Sequence, residues 1–299
     1  MNVHTRLLSL TTLFAVVGCG APDGDGRAGE SDAGGGAAMS MASSISPQML
    51  AAASAEAPKI KADAFCLVDA DTGRVLASHR GWESRPVAST QKLLTALVVA
   101  EVGDLGRPVT IQAEDTRIGG SVLGLCEGEV ITRGELLKGL LLVSGNDAAL
   151  ALARDVAGSV KTFAQMMNAR AESAGATRSS FVNPHGLTQA GQRSNAKDMA
   201  IIAMAAYANP VIRRMVGTLE DVINSSLLTR TVRNTNELLG RLPGCTGMKT
   251  GLTPGAGICL VAAMEAHGRR VILVQLDSTR SDIYNDAARA MIWGVSTPQ

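Results

Sequence analysis

The distribution of apolar positions divides the chain into three stretches. Leu7 to Val17 is a mostly apolar run behind Arg6, too short to cross a bilayer as a helix. Gly20 to about Ala57 is rich in Gly, Ala, Ser and Asp with few large apolar residues. Such a segment buries too little surface to offset the entropy of ordering and reads as a flexible tether. Regular periodicity begins at Ala64. Two strand-like runs, Ala64 to Asp69 and Arg74 to Ser78, flank the hairpin turn signal Asp71-Thr72-Gly73. After Pro86, the stretch from Ser89 to about Glu101 reads as a helix whose body is apolar on most faces, the pattern of a helix buried in a core. Thr132-Arg133-Gly134-Glu135 is a capping-box pattern that opens a helix ending near Val143. Asn146 to Val156, Ser159 to Ser173 and Ala196 to Tyr207 read as further helices, the last stopped by Asn209-Pro210. Three strands follow, Gly247 to Gly251, Ile258 to Met264 and Arg270 to Asp277, with turns at Thr253-Pro254-Gly255 and His267-Gly268. A helix from about Ser281 to Trp293 closes the pattern.

Strands at both ends and helices between them predict an α/β (α+β) domain over 58–296. Its antiparallel sheet is assembled from both chain ends, with a helical cluster alongside. Residues 1–18 read as a leader and 19–57 as the tether. Composition narrows the chemistry. The 299 residues carry a formal net charge of +1, no Lys/Arg block and 3% aromatics, which argues against nucleic acid as a partner.

Among the five cysteines, Cys19 directly follows small Gly18 at the end of the leader. Val16-Val17-Gly18-Cys19 resembles the lipobox of bacterial lipoproteins, where cleavage precedes a lipid-bearing cysteine. The resemblance implies an exported, membrane-anchored lipoprotein on the periplasmic or extracellular side. Cys66 and Cys259 read as buried strand residues acting as small hydrophobes. A disulfide between Cys126 and Cys245 stays open from sequence alone. The wide spacings do not suit a zinc site, so no metal or other cofactor is expected.

Three short motifs then carry the chemistry: Ser89-Thr90-Gln91-Lys92, Ser144-Gly145-Asn146 and Lys249-Thr250-Gly251. Serine is a poor nucleophile near neutral pH and needs a base. Residues three apart on a helix share a face, so Lys92 can stand beside Ser89. Its amine serves as a base only when neutral, a form that burial and a nearby cation such as Lys249 both favour. Ser144-Gly145-Asn146 lies between two apolar helices. Gly251 on a strand signals close approach of another backbone. Ser194-Asn195-Ala196-Lys197 also fits Ser-x-x-Lys, but it follows Ser144-Gly145-Asn146 instead of preceding it.

In this order, the motifs resemble the penicillin-binding and serine β-lactamase superfamily, and within it the serine-type D-alanyl-D-alanine carboxypeptidases. Pro86-Val87-Ala88, Leu140-Leu141-Leu142-Val143, Asp147-Ala148-Ala149 and Asn234-Thr235-Asn236 extend the likeness. It covers the whole 58–296 stretch and implies the transpeptidase-like fold. It implies peptidoglycan stem peptides as substrate and β-lactams as covalent inhibitors. Ser89 is then the nucleophile, Lys92 its base and Ser144 a proton carrier. Asn146, Lys249, Thr250 and Gly251 bind substrate, and the N–H groups of Ser89 and Leu252 receive the oxyanion. A D,D-endopeptidase, a β-lactamase and a non-catalytic cell-wall peptide-binding lipoprotein are the alternatives. No Glu-x-x-x-Asn segment stands where class A β-lactamases carry their deacylating glutamate. His185, within Phe181-Val182-Asn183-Pro184-His185-Gly186-Leu187, is expected to serve packing and turn formation.

Overall fold

The structure, a computed structural model, describes residues 56–297. The leader, Cys19 and the tether as far as residue 55 lie outside the described residues. The central element is a five-stranded antiparallel sheet of order β2-β1-β9-β8-β7, built from β1 (Ala64–Asp69), β2 (Val75–His79), β7 (Cys245–Thr253), β8 (Gly257–Ala266) and β9 (Arg269–Ser278). β1 and β9, from opposite ends of the chain, pair in the middle, with Ala64 opposite Leu276 and Asp69 opposite Val271. The expected assembly of the sheet from both termini is therefore what the chain forms.

Alternation along the strands explains the layers. Cys66, Val68, Val261, Ala263, Ile272 and Val274 point into the larger core cluster, beneath the helices of the middle segment. Their neighbours Leu67, Leu260, Ala262, Val271 and Leu273 point to the other face, into a second cluster with Ile283, Ala287, Ala290 and Met291 of the closing helix. Both faces are covered, so the central strands are apolar throughout, as sequence runs such as Val271 to Val274 show.

The helices of the larger side are α1 (Lys92–Val102), α3 (Arg133–Leu142), α4 (Asn146–Ala157), α5 (Val160–Ala174), α6 (Ala196–Ala208) and α7 (Pro210–Val216). Short α2 (Ala113–Thr116) accompanies them, and α8 (Ile283–Ser296) closes the chain. Every residue of α1 from Lys92 to Val99 is buried, so this helix has no solvent face to spare. A 3₁₀ turn, Ala88–Gln91, precedes it. The Thr132 side chain caps α3 by accepting from the Glu135 N–H at 3.2 Å. Glu135 does not complete the box. Its carboxylate takes the Lys138 ammonium and the Asn224 N–H instead.

Four differences from the sequence pattern stand out. Asn209-Pro210 stops α6 as expected, but a new helix starts there. Pro210 occupies its first turn, where the missing N–H is harmless, and the Asn209 side chain accepts from the N–H groups of Val211 and Ile212. Two hairpins interrupt the helical half: β3 (Pro108–Thr110) with β4 (Val130–Thr132), and β5 (Glu220–Asn224) with β6 (Thr229–Arg233). Each strand is too short, or too mixed in polarity, to leave a period. β7 is longer than the glycine-bounded core predicted for it. Cys245 has a free thiol directed at the Gly247 carbonyl, so no Cys126–Cys245 disulfide forms. Cys66 and Cys259 are fully buried strand residues, and burial pushes both thiols up to about 11.

The β5–β6 hairpin holds the segment between α2 and β4 through one ion pair. The Arg230 guanidinium donates to both oxygens of buried Glu129, at 2.5 and 2.8 Å, and to the Gly124 carbonyl at 2.7 Å. Removing one partner of a buried pair leaves the other charge uncompensated. Arg230→Ala should destabilise the protein by about 3 kcal/mol or more, read as a lower urea midpoint. The loss should shrink when Glu129→Gln is added. Additive losses from the two changes would show that the pair is not the cause.

Candidate active site

Ser89 sits in the 3₁₀ turn and Lys92 begins α1, so the three-residue offset places the lysine Nζ 3.0 Å from the Ser89 Oγ. Lys92 is completely buried. Its Nζ has two closer acceptors, the His185 carbonyl at 2.6 Å and the Asn146 Oδ1 at 2.7 Å. A neutral amine has two N–H donors, which these oxygens satisfy. Its lone pair is then left for the serine hydroxyl. Burial holds the Lys92 amine well below its ordinary pKa, and the nearby Lys249 charge pushes it further down, while the Asp147 carboxylate opposes them.

Lys249 lies on β7, the edge strand beyond β8, and is buried with 1% of its surface exposed. Burial lowers its ammonium to about 7. Its Nζ donates to the Thr250 carbonyl at 3.0 Å. Thr250 turns its hydroxyl to that of Thr235, 2.6 Å away. Gly251 packs directly on the Ser89 turn. A Cβ there would lie 2.9 Å from the Ser89 nitrogen and 3.0 Å from the Ala88 Cβ. This is the close backbone approach that the glycine announced, although the approaching backbone is the protein's own. It brings the residue 89 and 252 region of the two motifs together, with the Leu252 side chain 61% exposed beside it.

Asn146 opens α4. Its amide is fixed at both ends, with Oδ1 accepting from Lys92 and Nδ2 donating to the Gly119 carbonyl at 2.7 Å. The neighbouring Asp147 carboxylate accepts from the N–H groups of Leu123, Gly124 and Leu125 at 2.8, 2.9 and 3.1 Å. That buried carboxylate seats the Gly119-containing segment against the asparagine. Ser144 is buried, with a left-handed φ of 65°. Ala88, immediately before Ser89, has φ 49°. Non-glycine residues in this region store about 1–3 kcal/mol of strain and concentrate at functional sites. Gly186 makes the Ala88 geometry possible, since a Cβ there would come within 2.2 Å of the Ala88 carbonyl oxygen.

The three motifs thus converge on one centre. The other Ser-x-x-Lys pair does not. Ser194 Oγ shares a hydrogen bond with Ser179, and Lys197 lies over the Trp82 ring. His185 contributes its main chain: its carbonyl holds Lys92, and its Nδ1 accepts from the Leu187 N–H in a turn. Burial and the Lys92 charge lower the imidazole to about 4. The His185 and Gly119 carbonyls were not found from sequence because a backbone acceptor leaves no residue-type signature. Asp147 and Thr235 stood in recognised stretches without an assigned task.

The family model of the D-alanyl-D-alanine carboxypeptidases matches residues 51–280. The chain is 36% identical over 249 residues to the D-alanyl-D-alanine carboxypeptidase DacB2 of Mycobacterium tuberculosis, covering 81% of this chain and 85% of that protein. It is 34% identical to the D-alanyl-D-alanine carboxypeptidase DacF of Bacillus subtilis over 80% of this chain, but spans only 59% of that longer relative. A crystal structure of a D-alanyl-D-alanine carboxypeptidase from Mycobacterium tuberculosis superposes with a TM-score of 0.78 at 34% identity, covering 83% of this chain and 96% of that one.

The paired lysines generate a pH prediction. Acylation of Ser89 by an activated ester without a carboxylate should rise with pH as Lys92 loses its proton, and its midpoint should lie well below 10.5. Lys249→Met removes the neighbouring cation, so the midpoint should move upward. A midpoint that stays in place would show that burial alone sets it. Lys92→Ala should lower the plateau by about a hundredfold or more.

Proposed function

The chain belongs to the D-alanyl-D-alanine carboxypeptidase family, and we propose that it removes the terminal D-alanine from peptidoglycan stem peptides through an acyl-enzyme at Ser89. The observation that carries this reading is the buried Lys92 amine, 3.0 Å from the Ser89 hydroxyl, whose two N–H donors in the neutral form are taken by the His185 carbonyl and the Asn146 Oδ1, leaving its lone pair for the serine.

The steps follow from the geometry. Ser89 Oγ attacks the carbonyl between the two D-alanines while its proton passes to Lys92 Nζ. The charge that develops on the carbonyl oxygen is received by the Ser89 and Leu252 N–H groups, which the contact of Gly251 with the nucleophile turn brings together. Ser144 relays a proton to the leaving D-alanine nitrogen. Water then attacks the ester with Lys92 again as base, releasing the shortened peptide and restoring Ser89. Substrate lies along β7, an edge strand with one row of main-chain groups unpaired by the sheet. Asn146 binds its amide backbone. Lys249 and Thr250 hold its terminal carboxylate, with Thr235 orienting the Thr250 hydroxyl. β-Lactams, which mimic D-Ala-D-Ala, are trapped at the same serine.

Cys19 completes the reading as a lipid-bearing anchor on the exported side of a membrane. The lipobox-like residues before it support this, as does the separation of Cys19 from the folded part by a long polar stretch.

Mass spectrometry of products from purified muropeptides tests the reaction. Loss of one alanine from monomers supports the carboxypeptidase, and cleavage of cross-linked dimers alone supports the endopeptidase. A fluorescent penicillin should label wild type and Ser194→Ala but not Ser89→Ala. Lys249→Ala should slow turnover of a peptide ending in free D-Ala-D-Ala ten- to about a hundredfold more than acylation by an ester without the carboxylate. Equal losses on both substrates would remove the carboxylate role. Cys19→Ala should abolish incorporation of a fatty-acid analogue, and equal labelling of both forms would sink the lipid anchor.

A further inference from the structure

Outside the reaction centre, the most distinctive surface group is Trp82, in the loop between β2 and the nucleophile turn. Its indole is 45% exposed. Two cations lie against the ring: the Arg178 guanidinium carbon is 4.7 Å from the centroid and the Lys197 Nζ 4.9 Å. Lys197 is held at the start of α6, where its N–H donates to the Gly81 carbonyl at 3.0 Å. The main chain of Arg178 is fixed by the buried Asp198 carboxylate, which accepts from the Arg178 N–H at 2.8 Å. Neither the Arg178 nor the Lys197 side chain enters an ion pair among the described residues. The acids of the same loop region are already matched. Asp63 pairs with Arg80 and with Arg85, and Glu83 pairs with the same two arginines. Two uncompensated positive charges therefore surround an exposed indole.

The arrangement favours one class of partner. Stacking a sugar on the indole would mean displacing a cation from the ring. What stays available is the ring edge with its polar N–H, flanked by positive charge. An aromatic body with a polar tip suits the boundary between lipid headgroups and water, and cations there gain from anionic lipid.

We propose that Trp82, Arg178 and Lys197 form a docking surface for the anionic phospholipid headgroups of the membrane. The proposal rests on the lipid-anchor reading only in placing the protein at a bilayer. Docking would fix the orientation of the folded part.

The test uses the chain from Gly20 onward, which has neither leader nor lipid and keeps the whole core from Ala62 to Val295. It is sedimented with phosphatidylcholine vesicles, with and without phosphatidylglycerol, and with purified peptidoglycan. Binding should require phosphatidylglycerol and weaken at high salt. Arg178→Gln with Lys197→Gln should reduce the vesicle partition by about tenfold or more, and Trp82→Ala by a comparable factor. Penicillin acylation should be unchanged in all variants. If Trp82→Ala loses acylation, it has misfolded and the double variant decides. Absent binding, equal binding to uncharged vesicles, or binding indifferent to these substitutions would overturn the proposal. Trp82-dependent retention on peptidoglycan without vesicle binding would do the same and assign the surface to the cell wall. Because the tested chain has no lipid, failure of Cys19 acylation leaves the result standing.

Discussion

The structure depends on holding an amine away from water without holding it away from its partners. Lys92 is enclosed by the buried part of α1, from Lys92 to Val99, and among the described residues three oxygens meet its Nζ. Those oxygens come from three parts of the chain: the nucleophile turn, the start of α4 and the loop at His185. Packing that excludes water lowers the charge of the amine, and the acceptors aim what remains at Ser89. A second buried amine at Lys249 strengthens the effect. Stability and reactivity pull in opposite directions here, since two ammonium groups in one core region favour unfolding as acid protonates them. Both have folded pKa values below the ordinary 10.5, so this penalty is full below the lowered values, shrinks as pH rises from them, and is gone above 10.5.

Around that amine the backbone is packed closely enough to dictate residue type. Gly251 touches the nucleophile turn, Gly186 touches the Ala88 carbonyl, and Ala88 and Ser144 adopt conformations uncommon for residues with side chains. The Asp147 carboxylate and the Arg230–Glu129 pair draw the 119–129 segment against Asn146. The asparagine is therefore oriented by groups outside the three motifs. Positioning is distributed through the larger core, whereas the reacting groups are few.

The long elements were legible because burial on one or both faces leaves a period in the sequence. The runs of β1, β8 and β9 and the apolar body of α1 did so. The paired reacting groups were legible because chemistry demands particular residue types in a particular order. Three-residue strands such as β3 and β4 leave no period. Pro210 reads equally as the end of one helix and the start of the next, and only the Asn209 side chain, capping the second, decides. The His185 and Gly119 carbonyls are invisible for a different reason, since any residue carries one. Thr235 was in view within Asn234-Thr235-Asn236, but only the fold shows its hydroxyl meeting Thr250.

The pairing of β1 with β9 has a consequence for how the molecule comes into being. Ala64 meets Leu276 and Cys66 meets Val274, so the sheet closes a loop that contains nearly the whole domain. Contacts of such high sequence separation form slowly, because the chain must surrender the freedom of that loop before any of them forms. Ser89 lies near one end of the loop, and Lys249 with Gly251 near the other. During synthesis the ribosome releases the nucleophile long before the strand that completes its surroundings. Catalytic competence therefore appears in a single late step, when the last strands add to the first.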